Sequence, residues 1–333
     1  MSLGVSGIIH SGADVPGFLG FPDDDLFVQF YQLGIFFPFF RAHTDKRNPM
    51  REPWLQSPRV QNVIRKSIHQ RYEYIHYLYN LFFEASIHGT PIVRPMWYEF
   101  PQDVHTFDLD FQFMFGSNIL VAPKIGQPRP HMASLGGTSP VEVYLPPNEE
   151  WYDFYSKYSM PHVDGFQRVH VSDAEQGTFV RCGTILPMLN MVHTEPRLSI
   201  LSAIDDPVRL EVYPCHNKAD GPHAIGTLYL DDGESHRHTH NERTRVHYIY
   251  DGNTVSVMKI LKDENLYIHA ATKIIDEVTI YGVDEEPEDV VNRYAMRASG
   301  QGTVKADWVY IPSSREVHVM NLHIPVDESL SYG

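Results

Sequence analysis

Apolar and polar positions change period along this chain, and the changes mark out its elements. Val5–Ile9 is a short apolar run that predicts a strand, which feeds the glycine-bearing loop Ser11–Phe18. Gly12 and Gly17 permit close backbone approach or positive φ there, and Pro16 stiffens the turn. Pro22-Asp23-Asp24-Asp25 supplies an N-cap and an acidic first turn for a helix from about Asp24 to Gly34, with Leu26, Phe30 and Leu33 on one face. The dense aromatic run Ile35–Phe40 reads as core and ends in Arg41-Ala-His43. A polar loop, Thr44–Trp54, follows it. Val60, Ile64, Ile68, Tyr72, Ile75, Tyr79 and Phe82 then recur at three- to four-residue spacing. They predict one long helix from about Pro58 to His88, closed by Gly89. Pro91–Trp97 reads as a buried strand. Strand, loop, helix, loop, helix, strand is the grammar of a parallel α/β sheet or barrel.

From about Thr106 the helical period disappears. Short β-rich segments take over at Ile119–Ala122, Val141–Leu145, Thr178–Arg181, Val208–Val212, Gly226–Leu230, Thr244–Ile249, Thr254–Ile260, Leu266–His269, Glu277–Tyr281, Thr303–Ile311 and Glu316–Asn321. Turn residues punctuate them, as in all-β sandwiches of roughly 100 residues each. The predicted division is an α/β domain at 1–105, a proximal β-sandwich at 106–192 and a distal β-sandwich at 193–333. The seam falls in the loop-rich stretch Met191–Pro207. Lys124–Pro140 reads as a long polar loop.

Composition narrows the function classes. With 27 basic against 42 acidic residues the net charge is −15, which disfavours nucleic acid and anionic membranes as partners. No apolar run is long enough for a transmembrane helix, and Met1-Ser2-Leu3 does not begin a signal-peptide pattern. The chain opens directly on its first strand, as a segment cut from something longer would. Cys182 and Cys215 allow one bridge, but two buried free thiols are the expectation.

Asp14 and His43 are the leading candidates for chemistry. On loops after successive barrel strands both would face one mouth, where a carboxylate and an imidazole can hydrogen-bond vicinal hydroxyls. Phe18 would cover an apolar sugar face. Arg41, two residues before His43 on an extended segment, points the same way and would pair with Asp14. The competing reading is a buried Asp–Arg pair with a core histidine. His236-Arg-His-Thr-His240 would align three imidazoles on a strand, but its flanks read as a hairpin loop and no metal site is expected. Asp231-Asp232-Gly233 reads as a β-turn rather than a calcium loop. Glu99 and Asp103 are either mouth residues or helix caps. No second loop carries a carboxylate placed like Asp14.

Seven blocks then carry a family resemblance. In order, Ser11–Phe18, Phe39–His43, Arg51-Glu-Pro-Trp54, Gly89–Trp97, Phe115–Pro123, Gly183–Pro187 and Leu230–Glu234 resemble glycoside hydrolase family 31. From 235 to 333 the match rests on position and β pattern. The Arg51–Trp54 block, with Trp97–Asp103, is most similar to the glycan-trimming α-glucosidases of the endoplasmic reticulum. The resemblance implies the last strands and helices of a (β/α)8 TIM barrel followed by two β-sandwiches. It implies a retaining α-glucosidase acting on glucose-terminated oligosaccharides, with no cofactor and no metal. Asp14, Phe18 and His43 would be substrate-binding residues and Arg41 their support. The implied partners are the upstream half of the barrel and a β subunit such as that branch uses. The implied compartment is the endoplasmic-reticulum lumen. The family's nucleophile and acid/base motifs do not occur in these 333 residues. A retaining mechanism needs two carboxyl groups about 5–5.5 Å apart, so the chain by itself is expected to be inactive and its Val5–Ile9 edge to be covered by another segment. The alternatives are a non-catalytic carbohydrate-binding or scaffold fragment, or another activity of the family such as an α-xylosidase.

Overall fold

A computed structural model describes residues 1–124, 137–163, 165–191, 200, 206–216, 223–259, 273–288, 291–296, 300–326 and 330–332. The expected strand 266–269 and most of the expected loop 124–140 and seam 191–207 lie outside them. Contacts group the chain into two compact units: 1–72, 84–155 and 160–180 in the first, and 73–83, 156–159 and 181–333 in the second.

The helices are α1 (Ser2–Val5), α2 (Asp24–Gly34), α3 (Pro58–Glu73), α4 (Ile75–His88) and α5 (Met96–Glu99). The expected opening strand is therefore absent. Ser2–Val5 makes a helical turn, and parallel pairing near the N-terminus is confined to Val15 opposite Ala42. A strand at Val5–Ile9 needs paired neighbours for its backbone groups; the Val5, Ser6 and Ile8 N–H groups bond locally to Met1, Ser2 and Leu3 instead.

The α2 helix keeps its predicted bounds because Asp23 accepts the Leu26 N–H at 2.8 Å and Asp24 and Asp25 occupy its first turn. Its buried face differs from the expected one. Phe27, Val28 and Tyr31 are buried, while Leu26 is 45% exposed. Both faces are apolar at helical spacing, and packing against Val15 and the α3 residues Val60, Val63 and Ile64 selects one. The long helix is two, interrupted at Tyr74, whose carbonyl still accepts the Leu78 N–H at 2.8 Å. Neither Pro nor Gly marks that break.

In the first unit the strands are β1 (Val93–Pro95), β2 (Phe113–Phe115), β3 (Ile119–Ala122), β4 (Thr138–Tyr144), β5 (Trp151–Asp153), β6 (Phe166–Ser172) and β7 (Gly177–Arg181). They form a five-stranded sheet ordered β1-β2-β3-β7-β5 and a β4-β6 ladder. One core, including Met114, Leu120 and Phe179 from the sheet with Val141, Val143 and Val171 from the ladder, lies between them. The second unit holds β8 (Thr184–Leu189), β9 (Val208–Tyr213), β10 (Ala224–Leu230), β11 (Thr244–Tyr250), β12 (Val255–Lys259), β13 (Ile274–Ile280), β14 (Val291–Met296), β15 (Gly300–Lys305), β16 (Asp307–Ile311), β17 (Glu316–Met320), β18 (Ile324–Pro325) and β19 (Leu330–Tyr332). Its main sheet runs β12-β11-β10-β8-β9-β13-β17-β16. The β8 strand pairs along its whole length with β9, Thr184 opposite Tyr213. Continuing that register two residues beyond the strand ends sets Cys182 opposite Cys215. They form a disulfide with a Cα–Cα distance of 4.8 Å, which corrects the expectation of free thiols.

Candidate functional site

The site is built where Val15 meets Ala42. Val15 N–H donates to the Arg41 carbonyl at 3.1 Å, and His43 N–H donates to the Val15 carbonyl at 3.0 Å. Val15 is fully buried among α2 and α3. Alternation along a strand then turns Asp14 and, across the pairing, Arg41 and His43 to the other face. Arg41 Nε donates to Asp14 Oδ1 at 3.0 Å. With the arginine side chain about half exposed, this pair orients the carboxylate more than it stabilises the fold. Arg41 also lies over the Phe39 ring at 5.4 Å. Phe18 and His43 stack with centroids 5.6 Å apart and planes 23° apart. All four predicted residues, Asp14, Phe18, Arg41 and His43, thus gather on one loop pair.

The backbone explains the sharp approach of that loop. The Val15–Pro16 peptide is cis and Gly17 has φ +99°. Gly17 N–H donates to the Asp14 carbonyl at 2.7 Å, closing the turn. At Gly12 an added Cβ would stand 1.9 Å from the Phe39 carbonyl oxygen, so only glycine fits beside the aromatic run. Arg71 anchors that run from beneath, donating to the carbonyls of Ile35 at 2.6 Å and Phe37 at 2.8 Å. Burial pulls its guanidinium down to about 10.

Sequence reasoning missed the clamp that holds the Phe18 end. Arg51, 4% exposed, donates to the Gly20 carbonyl at 3.0 Å and also to the Gly17 carbonyl and the Thr44 hydroxyl. The Phe18 carbonyl further accepts from Asn48 Nδ2 at 3.0 Å, Asp45 N–H at 3.1 Å and Thr44 Oγ1 at 3.3 Å. Thr44 and Asn48 stood in the sequence only as part of a polar loop, and Arg51 as part of the Arg51–Trp54 block with no partner assigned to it. A buried arginine aimed at main-chain carbonyls leaves no periodic trace.

The other candidates serve the fold. Glu99 pairs with Arg94. Asp103 caps the 3-10 turn Val104–Thr106 and accepts the Tyr144 hydroxyl at 2.6 Å. The histidine tract forms the 3-10 turn Arg237–His240, so its alternate imidazoles do not share a strand face. Asp231 accepts from the hydroxyls of Tyr79 at 2.6 Å and Tyr229 at 2.7 Å. Among the described residues, no three His, Cys, Asp or Glu side chains are grouped to hold a metal, and no helix is long and apolar enough to cross a membrane.

A carboxylate oriented by a guanidinium, an exposed imidazole and a half-exposed aromatic face suit a polyhydroxylated ring. The carboxylate's lone pairs accept hydroxyl donors, the imidazole donates or accepts, and the phenyl face covers C–H surface. Residues 1–81 match the glycosyl hydrolases family 31 TIM-barrel domain, and residues 89–186 match the glycosyl hydrolase family 31 C-terminal domain. A probable glucan 1,3-alpha-glucosidase of Oryza sativa subsp. japonica is 34% identical over 85% of the chain and 29% of its own length. Neutral alpha-glucosidase AB of Mus musculus is 38% identical over 75% of the chain and 24% of its own length. The catalytic subunit in an ER glucosidase II heterodimer, solved with the binding domain of its regulatory subunit, is 25% identical. It superposes with a TM-score of 0.84 over 99% of this chain and 35% of that one. The chain spans about a quarter to three tenths of the length of these curated relatives.

Proposed function

The chain belongs to glycosyl hydrolase family 31, and from that premise we propose that it is the sugar-gripping and C-terminal part of a retaining α-glucosidase that removes terminal α-linked glucose from N-glycan-type oligosaccharides. The observation that carries this reading is the convergence of Asp14, Arg41, Phe18 and His43 on one loop pair. In it, Asp14 and His43 hydrogen-bond the hydroxyls of the terminal glucose, Phe18 covers its apolar face, and Arg41 sets the carboxylate's orientation. Bond cleavage is assigned to carboxylates outside these 333 residues, because Asp14 cannot both attack and protonate. The upstream half of the barrel would complete the mouth, and a glucosidase II-type β subunit is the proposed protein partner. The Cys182–Cys215 bridge supports an oxidising compartment, for which the endoplasmic-reticulum lumen is the proposal.

Titrating the chain with methyl α-glucoside, followed by NMR, tests the reading. The His43 imidazole and Phe18 ring signals should shift on binding. Asp14→Ala and His43→Ala should each weaken affinity roughly tenfold or more, as loss of a hydrogen bond to a charged or polar partner does. Affinity that survives both substitutions would place the sugar elsewhere. Turnover of an α-glucoside by the chain alone would overturn the division of labour.

A further inference from the structure

The apolar run Ile35–Phe40 is buried or half-buried except at Phe39, which is 36% exposed. Its neighbour Phe40 packs inward against the core of Val15, Phe27 and Tyr31. Phe39 instead meets the candidate site. The Arg41 guanidinium carbon lies over its ring, 5.4 Å from the centroid. The same guanidinium donates through Nε to Asp14 Oδ1 at 3.0 Å. His10 meets the Phe39 ring edge-on, with centroids 5.3 Å apart and planes at 87°. The Phe39 backbone is fixed as well. Its N–H donates to the Ser11 carbonyl at 3.2 Å, and its carbonyl oxygen lies so close to Gly12 that an added Cβ there would stand 1.9 Å away. Direct contacts therefore run from His10 to Phe39, from Phe39 to Arg41 and from Arg41 to Asp14.

A long side chain that is half exposed has many rotamers open to it, and one hydrogen bond in water confines it weakly. The negative face of an aromatic ring attracts a cation placed above it. At Phe39 that attraction selects the Arg41 rotamers from which Nε reaches Asp14. We propose that Phe39 is a positioning residue of the sugar grip: its ring, set edge-on to His10, holds the Arg41 guanidinium, and Arg41 in turn holds the Asp14 carboxylate. The consequence for sugar binding rests on the reading of the site given above, but the hold on Arg41 does not.

Ring fluorination separates this role from packing. In the full chain, a ring-trifluorinated phenylalanine at position 39 keeps the apolar shape and weakens the ring's attraction for a cation. It should speed solvent exchange of the Arg41 Nε–H, followed by NMR without any sugar, by about two- to fivefold, the factor for loss of an exposed cation–π contact. Amides of β2 and β3, in the same unit, should keep their protection. Phe39→Tyr, which keeps a cation-attracting face, should exchange like the parent. Affinity for methyl α-glucoside should fall with fluorination by the same factor, and fluorination should cost nothing further in an Arg41→Ala background. Unchanged Nε–H exchange in the fluorinated chain overturns the proposal. So does an affinity loss that persists undiminished in Arg41→Ala, since Phe39 would then act on the sugar itself. Faster Nε–H exchange on fluorination, with no glucoside binding by the parent, would leave the hold on Arg41 standing and sink the functional reading instead.

Discussion

At the scale of single residues, the site depends on places where one atom more would not fit. Gly12 is the clearest. A methyl there would meet the Phe39 carbonyl oxygen at 1.9 Å, a backbone atom that cannot swing aside. Gly12→Ala should therefore destabilise the first unit by about 1–3 kcal/mol, the usual cost of overpacking, read as a lower urea midpoint. It should also disturb the Arg41–Asp14 pair, because the Phe39 backbone leads directly to Arg41. The glycine was legible in the sequence as a point of close approach. The atom it approaches was not, since Ser11 and Phe39 meet only when the chain folds, Phe39 N–H donating to the Ser11 carbonyl at 3.2 Å. Arg51 shows the same division. Its place in an Arg-Glu-Pro-Trp block was visible, but the carbonyls it serves lie 31 and 34 positions away.

At the scale of elements, local rules decided where helices begin, and tertiary contact decided which face they bury. The α2 helix starts at Asp24 because Asp23 caps it, and Asp23→Ala should cost about 1 kcal/mol, measured as a reduced melting temperature. Its buried stripe of Phe27, Val28 and Tyr31 was no more strongly patterned than the alternative through Leu26, Phe30 and Leu33. The same limit produced the wrong opening element. A four- or five-residue apolar run suits a strand only when another strand pairs with it, and here the local helical turn satisfies the backbone instead. Later β segments were read well where a short apolar run was flanked by turn residues. Ile119–Ala122 has the predicted bounds, while Trp151–Asp153, too short for a period, passed unnoticed.

At the scale of the whole molecule, buried titratable groups make the second unit acid-sensitive. Burial, with Lys273 beside it, holds the His76 imidazole down at about 3. Below the unfolded value of about 6.5 the unfolded chain takes up a proton that folded His76 refuses. Its contribution to stability is thus complete above pH 6.5 and is lost as pH falls toward 3, at up to about 1.4 kcal/mol per pH unit. Glu211 adds to the slope only at lower pH. Burial opposes its charge, but Lys157 and Arg209, each 2.9 Å away, hold the carboxyl down at about 2. His318 works in the opposite sense. The Glu277 carboxylate 3.6 Å away and the Glu316 carboxylate, hydrogen-bonded at 2.8 Å, raise it, so its contribution is full at low pH and is lost as pH rises. Urea unfolding across pH 7 to 4 should show falling stability that His76→Leu flattens. An unchanged slope in that variant would remove His76 as the cause.

Several things were determined by the sequence alone: the switch from helical to β periodicity, the capped start of α2, the acidic balance, and the seven blocks that resemble family 31. Each is written in neighbouring residues or in composition, so no fold is needed to read it. Tertiary structure decided the rest. It paired Cys182 with Cys215 through the β8–β9 register, chose the buried face of α2, and brought Arg51 under the Asp14 loop. These contacts join residues tens of positions apart, and their energy comes from excluding water and satisfying buried carbonyls, which only the folded chain can do.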